Sequence, residues 1–424
     1  MRKMKNSGIE WIGKIPEEWN ILPTKRFFRH TKTIAGDKVD SYERLALTMN
    51  GVIKRSKEDS EGLQPEKFDT YQVLKENELV FKLIDLANVK TSRVGLSPFT
   101  GILSPAYIVL TNESDDNRFY YYFFISMYYN EIFNRLGDNG VRSSLNAQDL
   151  LSVPIVNISS DTQHRIADFL DDKCGKIDRY IEKQQRIIDK LKEYKQAVIT
   201  EAVTKGLDPD APMKDSGIEW IGMIPEHWDV PEIKYLVRIA SGGTPDRNHP
   251  EYWNGNIPWI KTGELQNDII TNAEEYITEE GLNNSSAQVF NINTILVAMY
   301  GQGKTRGMTA LLKTPASTNQ ACAGLTITNS NVQIEYLWQC LIGAYDAIRS
   351  EAAGSGQPNL SATLIGNFHI ALPPIEEQGL IVEYIKDRTV EIKSTIHKAE
   401  KLLEKLTEYK KSLIYEAVTG KMEV

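Results

Sequence analysis

The chain of 424 residues contains an internal duplication, and this feature constrains its fold more than any other. Residues 6–21 read NSGIEWIGKIPEEWNI and residues 215–230 read DSGIEWIGMIPEHWDV, with 11 identities in 16 positions. A second pair of segments, 191–206 and 406–421, shares 9 identities in 16 positions. Such a repeat predicts that both halves build the same structural frame, related by an internal pseudo-twofold axis.

A long helical pattern leads into the second repeated segment of each half. Apolar residues recur every three or four positions from Asp161 to Val203 and again from Glu376 to Val418. We predict two helices, each about 60 Å long, that form an antiparallel coiled coil because a seven-residue repeat produces a narrow apolar seam. The alternative is two amphipathic helices that lie separately on their own domains. The seam positions are Leu170, Ile177, Ile181, Ile188, Leu191, Ile385, Ile392, Ile396, Leu403 and Leu406.

The segments between the repeats predict mixed domains. Short apolar runs such as 79–81 and 294–300, among many Gly, Pro, Asn and Thr residues, indicate short strands. The aromatic-apolar stretches 119–133 and 336–348 predict buried core helices. The predicted fold class is therefore α+β, with two α/β domains built on twisted β-sheets and joined by the two long helices. We expect the first domain at 1–156, the first long helix at 157–206, a linker with the second domain at 207–370, and the second long helix at 371–424.

Composition narrows the classes of function. The three cysteines are widely spaced and outside any CxxC pattern, which argues against a disulfide framework and against a zinc site. The most apolar stretch, 119–129, is far shorter than a membrane helix, and the first residues lack the apolar core of a signal peptide. We therefore expect a cytoplasmic protein. The net charge of −8 is unusual for a protein that binds nucleic acid by itself.

Three enzymatic interpretations are disfavoured by spacing. The segment YGQGKTRG resembles the end of a phosphate loop, but GxxxxGK[ST] requires glycine where Ala298 stands. The six histidines include no HxxxH or HExxH pair, so metal binding is not expected. The repeated Glu193-Tyr194-Lys195 and Glu408-Tyr409-Lys410 are similar to a nuclease ExK motif, but they fit the solvated flanks of a coiled coil better.

Taken together, the repeated motifs resemble the specificity subunit of type I restriction-modification enzymes. The resemblance covers essentially the whole chain and depends on the doubled SGIEWIG-x-IPE-x-W motif, the doubled EYK…EAVT segment, and GELQ, YGQGKTRG, TNQAC, GQPNLS and LPPIEEQ in the second half. It implies two target-recognition domains that each read half of a split DNA sequence, and long helices that set the spacing and dock two methyltransferase subunits. It further implies no catalysis in this chain, restriction subunits as additional partners, and S-adenosylmethionine, ATP and magnesium as cofactors of the partners only.

One departure from the family pattern concerns the start of the first long helix. The second half has LPPIEEQ before its helix, whereas the first half has NISSDTQ and lacks the proline pair. Ser160 or Asp161 is the expected N-cap there.

Candidate DNA-contacting residues lie in glycine-flanked or polar segments at corresponding places in the two halves. Glycine allows the backbone to approach phosphate, Lys neutralises it, and Gln or Arg pairs with base edges. For each candidate a turn or capping hydrogen bond is an equally good interpretation. The candidates are Lys90, Thr91, Ser92, Arg93, Arg142 and Ser143 in the first half, and Thr262, Glu264, Tyr300, Gln302, Lys304, Thr305, Arg306, Asn319, Gln320, Asn359 and Ser361 in the second.

Two functions from other classes stay open at this point. A coiled-coil scaffold that binds only proteins would share the seam but would ignore DNA in every assembly. An ATPase or nuclease would need the GKT or EYK residues for turnover. DNA reading accounts for the diverged domains inside a repeated frame, since identical partners would dock on the frame and different bases would be read by its contents.

Overall fold

The computed structural model describes residues 2–59, 68–84, 86, 93–114, 116–136, 144–301, 303–354 and 359–424. The chain divides into two compact units. Unit 1 consists of Met1–Gln185 and Lys401–Val424, and unit 2 of Arg186–Glu400. Each boundary between the units falls inside a long helix, so each unit contains part of both. The four domain limits expected from the sequence stay a prediction.

Unit 1 is built from short strands and three short helices before the first long helix. Two four-stranded sheets have the orders β6-β5-β10-β7 and β4-β11-β8-β9, beside the pairs β1-β2 and β12-β3. The strands are β1 (Met4–Asn6), β2 (Lys14–Pro16), β3 (Asn20–Pro23), β4 (Arg29–His30), β5 (Arg44–Thr48), β6 (Gly51–Arg55), β7 (Gln72–Leu74), β8 (Leu79–Lys82), β9 (Arg93–Leu96), β10 (Gly101–Leu103), β11 (Ile108–Thr111) and β12 (Pro154–Asn157). The helices are α1 (Arg118–Tyr129), α2 (Ile132–Leu136), α3 (Ala147–Ser152) and α4 (Ser160–Lys205).

Unit 2 has a five-stranded sheet of order β15-β22-β19-β20-β17, a three-stranded sheet of order β18-β16-β21, and the pair β13-β14. Its strands are β13 (Met213–Asp215), β14 (Met223–Pro225), β15 (Val237–Ser241), β16 (Trp253–Ile260), β17 (Asp268–Ile270), β18 (Glu275–Ile277), β19 (Ile295–Ala298), β20 (Thr309–Leu312), β21 (Ser317–Thr318) and β22 (Cys322–Ile327). Its helices are α5 (Glu279–Asn283), α6 (Ile334–Gly343), α7 (Tyr345–Gly354), α8 (Ala362–Asn367) and α9 (Ile375–Val418). Strands and helices around two long helices confirm the α+β fold class.

The predicted long helices begin and end within two residues of the observed α4 and α9. Their apolar side chains pack inside each unit: Leu170 and Ile177 of α4 share a core cluster with Leu413 of α9 in unit 1. In unit 2 the Lys192 ammonium of α4 donates to Glu400 of α9 at 3.2 Å. All ten seam residues are buried or half-buried. Apolar burial along one stripe therefore explains why sequences with so many charged residues remain helical.

Each core-helix stretch predicted from the sequence is divided into two helices. Glu131, with φ of 56°, interrupts 119–133 between α1 and α2, and the Asn130 side chain donates to the Ser126 carbonyl at 2.8 Å. In the second stretch Ala344 separates α6 from α7 and its N–H bonds to the Cys340 carbonyl. Residues that terminate helices locally therefore override an apolar pattern that continues through them.

The opening motif of each half packs against the end of a long helix. In unit 1 the C-terminal Gly420 of the EAVT segment has φ of 70°, and a Cβ there would lie 2.9 Å from the Trp19 ring. In unit 2 the corresponding Gly206 has φ of 75°, and its Cβ would lie 3.0 Å from Trp228. Glycine is required because it adopts the left-handed conformation that ends a helix and leaves room for the indole. In each unit, therefore, the opening motif contacts the repeated segment at the end of a long helix.

The start of α4 corrects the expected N-cap. The hydroxyl of Ser159, rather than the side chain of Ser160 or Asp161, accepts the Thr162 N–H at 3.3 Å. The Gln163 amide then donates to the Ile158 carbonyl at 3.1 Å, as Gln378 donates to Pro373 at 2.9 Å before α9. The glutamine common to both halves therefore fixes the turn into the helix without the proline pair.

Candidate nucleic-acid interface

Two candidate segments of unit 2 lie together because the strands that precede them are parallel neighbours. Strand β16 pairs with β21, with Ile260 opposite Thr318. The Asn319 N–H continues this pairing and donates to the Ile260 carbonyl at 3.2 Å. Thr262 and Glu264 follow the first strand and Asn319 and Gln320 the second. Parallel strands present their carboxyl ends at one edge of a sheet, so both polar segments occupy the same edge.

The loop between β19 and β20 of the five-stranded sheet lies beside this edge of the three-stranded sheet. The Met299 N–H donates to the Ala321 carbonyl at 2.8 Å, which places Tyr300 beside the segment that follows β21. The Leu360 N–H in turn donates to the Met299 carbonyl at 3.0 Å, and this bond brings in Asn359 and Ser361. Four segments that are far apart in sequence therefore converge.

Helix α7 holds the loop through its backbone carbonyls. The Tyr345 hydroxyl donates to the Lys304 carbonyl at 2.6 Å, and the Arg349 guanidinium donates to the carbonyls of Arg306 at 2.6 Å and Gly303 at 2.9 Å. Gly303 has φ of 61° and Gly307 of 85°, a conformation that glycine adopts without a steric penalty. The loop carbonyls point towards α7 as a result, and the Lys304 side chain is exposed.

The loop presents hydrogen-bonding groups that the described residues do not satisfy. Tyr300 is 44% exposed, and the buried Nε of Arg306 and the buried Oδ1 of Asn319 have no partner among the described residues. Buried polar atoms in folded proteins almost always have a partner. Among the described residues, these two atoms are therefore an unpaired donor and an unpaired acceptor beneath the exposed loop.

Other candidates have structural partners. The Glu264 carboxylate accepts the N–H groups of Lys261 at 2.8 Å and Glu274 at 3.1 Å. The Ser361 hydroxyl caps α8 by accepting the Leu364 N–H at 3.1 Å. The Gln320 amide oxygen accepts the Thr244 hydroxyl. For these three residues the capping or turn interpretation describes the observed hydrogen bonds, and a base contact stays a prediction. Thr262 and Thr305 are half-buried, and Gln302 lies outside the described residues.

In unit 1 the corresponding segments are only partly described. Lys90, Thr91, Ser92, Arg142 and Ser143 lie outside the described residues. Arg93 opens β9, is half-buried, and its buried Nη1 has no partner among the described residues. The Leu145 N–H donates to the Leu83 carbonyl at 3.0 Å, which is the bond that Leu360 and Met299 make in unit 2. The polar segments on either side of this bond therefore correspond in the two units.

Three features of the interface were not predicted from the sequence. Arg349 was not predicted because it lies in a helical stretch, where an arginine is usually solvent-exposed. The guanidinium carbon of Arg247 lies 3.6 Å from the Trp253 ring centroid, and the guanidinium pairs with Glu275 at 2.6 Å, so the charged group is fixed on an aromatic surface. Gly242 permits the close approach of its segment to β21, since a Cβ there would collide with Thr318, and the Gly243 N–H donates to the Thr318 carbonyl at 2.8 Å. The Gly-Gly-Thr-Pro sequence was the available signal for the third.

Three further findings concern metal ligands, membrane-spanning helices and the cysteines. No group of three His, Cys, Asp or Glu residues in the described ranges is placed to hold a metal ion. None of the described helices combines the length and apolarity that a membrane crossing requires. The three cysteines are buried thiols, and burial raises the pKa of Cys322 and Cys340 to about 12.

Comparison with known proteins finds similarity to the specificity subunits of type I restriction enzymes over part of the chain. A family model described as the type I restriction modification DNA specificity domain matches residues 225–405. The MjaIX specificity subunit of Methanocaldococcus jannaschii is 32% identical over 195 residues, which are 44% of this chain and 43% of that protein. The EcoR124I/EcoR124II specificity subunit of Escherichia coli is 31% identical over 183 residues, covering 41% and 45%. The matches thus span less than half the length of these curated relatives.

A solved structure has the same fold across almost the entire chain. It comes from work on complex assembly and conformational transition of the type I R-M system. The superposition has a TM-score of 0.67 with 13% sequence identity, and it covers 96% of this chain and 99% of the other. At this identity the likeness establishes the fold.

Proposed function

We propose that this chain is a specificity subunit of a type I restriction-modification enzyme and reads a bipartite DNA sequence. Each unit reads one half-site, and the two long helices set the gap between the half-sites. The chain itself performs no catalysis in this proposal. It acts in the cytoplasm, where its DNA target and partner subunits are present.

The observation that carries the proposal is the convergence of three other polar segments on the loop that carries Lys304 and Arg306. Residues with purely local roles in separate turns would not be expected to meet at one place in the fold. The unsatisfied Nε of Arg306 adds a donor that a folded protein would otherwise pair. In unit 1 the bond from the Leu145 N–H to the Leu83 carbonyl matches the bond between Leu360 and Met299.

Different residues of this site contribute to affinity and to specificity. The exposed ammonium of Lys304 neutralises phosphate, which favours binding to any sequence. The guanidinium of Arg306 and the amide of Asn319 suit base edges, since Arg pairs bidentately with guanine and Asn with adenine. Arg349 binds carbonyls of the loop backbone and therefore positions both basic residues.

In this proposal, partner subunits supply positive charge for DNA binding and the catalytic activities. A net charge of −8 opposes tight binding of a duplex. Two methyltransferase subunits, docked on the repeated frame, contribute positive charge and methylation, and restriction subunits contribute ATP-dependent cleavage. S-adenosylmethionine, ATP and magnesium accordingly belong to the partners.

Substitutions in the assembled methyltransferase complex test the proposal. We expect Lys304→Ala to weaken specific and non-specific duplex binding alike and to lower the slope of log affinity against log salt by about one. We expect Arg306→Ala to weaken only the specific duplex, by about 1–3 kcal/mol. Fluorescence anisotropy with cognate and scrambled duplexes measures both. Lys398→Ala, on the exposed face of α9, is the control. Unchanged binding in both loop variants would refute the assignment, and a complex that ignores DNA would favour the protein-binding scaffold.

A further inference from the structure

A cavity of about 310 Å³ lies in unit 2, and none of the candidate DNA-contacting residues lines it. Its walls come from α4, α6, α9 and the edge strand β17. Its floor is apolar, since Ile199, Trp338 and Ile385 are buried there. Ile269 of β17, which is 49% exposed, lies at the rim. This volume is at the lower end of the range for small-molecule sites.

Lysines surround the cavity in excess over carboxylates. Four lysines line it, against the two carboxylates of Asp268 and Glu335. Lys313 is paired with Glu335 at 3.3 Å, and Lys393 lies 3.7 Å from the largely exposed Asp268. The remaining two cationic residues are Lys195 and Lys386. Burial, and then the neighbouring charge of Lys393, lower the pKa of Lys195. The cavity therefore holds positive charge that its own acidic residues do not balance.

The internal repeat provides a comparison for Lys195, because the equivalent lysine of unit 1 has an acidic partner. At the repeat offset of 215 residues, Lys195 corresponds to Lys410 and Lys393 to Asp178. In unit 1 the Lys410 ammonium donates to both carboxylate oxygens of Asp178, at 2.6 and 2.7 Å. In unit 2 the same two positions hold two lysines. An ion pair between the long helices has become a pair of like charges.

A second position along the same helix face also changes from a carboxylate in unit 1 to a lysine in unit 2. Lys386 corresponds to Asp171 of unit 1. There the carboxylate accepts the Tyr122 hydroxyl at 2.7 Å and the Arg118 guanidinium at 2.6 Å. Two carboxylates of α4 are thus replaced by two lysines of α9, and both lysines line the cavity. Like charges beside an apolar cavity cost free energy unless an anion neutralises them.

We infer that this cavity is a binding site for a small organic carboxylate with an apolar body, whose carboxylate lies between Lys195 and Lys393. The apolar body covers Ile199, Trp338 and Ile385, and the carboxylate takes the place that Asp178 has in unit 1. The walls are already fixed, since the Gln196 amide of α4 donates to the Ile342 carbonyl of α6 at 2.8 Å.

Calorimetric titration of the purified full chain with octanoate tests the inference. Octanoate supplies one carboxylate and an aliphatic body, and 1-octanol is the uncharged probe. We expect one saturable octanoate site and affinity at least about tenfold lower for octanol. Lys195→Met keeps the apolar stem and should weaken octanoate about tenfold or more while octanol is unaffected. Lys398→Met, outside the cavity, should leave both unchanged.

Lys393→Asp gives the sharpest variant because it restores the ion pair of unit 1. We expect K393D to lose octanoate binding and to unfold at a temperature close to that of the wild type, because the new pair with Lys195 offsets the lost contact with the exposed Asp268, so that the loss is not a folding defect. Acetylation of lysines followed by mass spectrometry locates the site: octanoate should protect Lys195 and Lys393 and leave Lys398 equally reactive. The inference is overturned if the wild-type chain shows no saturable octanoate site, if K393D binds octanoate as tightly as wild type, or if protection spares Lys195.

Discussion

Lys410 and Lys195 occupy the same position in the two halves of the chain but have opposite electrostatic surroundings. Burial lowers the pKa of Lys410, but its hydrogen bonds to Asp178, together with the charges of Asp178, Tyr129 and Cys174, outweigh this effect, so that the pKa is raised. For Lys195 burial and Lys393 act together to lower it. A single change of partner between the repeats therefore decides whether a half-buried lysine stabilises its unit.

The two lysines predict opposite effects of the same substitution. We expect Lys410→Met to lower the free energy of unfolding by about 1 kcal/mol, a value discounted because Asp178 is half-exposed. Lys195→Met removes a like-charge contact and should leave the free energy unchanged or raise it. Urea denaturation of both variants and of Lys398→Met measures the difference. Equal destabilisation at positions 410 and 195 would contradict this electrostatic account.

Arg349 is the residue whose substitution best separates positioning from contact. Its guanidinium binds the carbonyls of Gly303 and Arg306, and a lysine cannot reproduce this pair of bonds. We expect Arg349→Lys to reduce discrimination at one half-site in the assembled complex by about tenfold, with the thermal midpoint unchanged. Tyr345→Phe, which removes only the bond to Lys304, should have a smaller effect. Loss of discrimination at both half-sites would show that Arg349 does not act through this loop.

At the scale of elements, the two long helices are the parts of the fold that the sequence predicts best. Regular apolar spacing over many turns locates α4 and α9 to within two residues. The breaks at Glu131 and Ala344 could not be predicted, because apolar residues continue across them and the cause is local backbone conformation. The convergence of the candidate DNA-contacting residues could not be predicted either, because it depends on which strands are neighbours. Thr262 and Asn319 meet through the β16–β21 pairing, which no local pattern reveals.

The helices also allow a test of spacing. Inserting four residues, one turn of about 6 Å, into both α4 and α9 should lengthen the gap between the recognised half-sites by about two base pairs. Both helices must be changed together, because antiparallel partners keep their seam contacts only if they lengthen equally. Methylation of a library with randomised gaps reads out the preferred length. An unchanged gap in a folded, active variant would exclude a spacer role.

At the scale of the whole molecule, the repeated frame is alike in the two units, whereas the segments within it differ. The opening motifs and helix ends pack in the same way in both units, through Trp19 with Gly420 and Trp228 with Gly206. The segments between them share little sequence and differ in their sheets. If identical partners dock on the frame and each unit reads its own bases, the contents are exchangeable without loss of assembly.

Exchange of residues 231–367 for the corresponding segment of another family member tests the central claim most directly. The readout is the set of methylated DNA sequences in cells that produce the chain with its methyltransferase subunits. We predict one bipartite motif for the original chain, and for the exchanged chain a motif in which one half is new while the other half and the gap are retained. A motif that changes in both halves, or that does not change at all, would contradict the reading of one half-site by each unit.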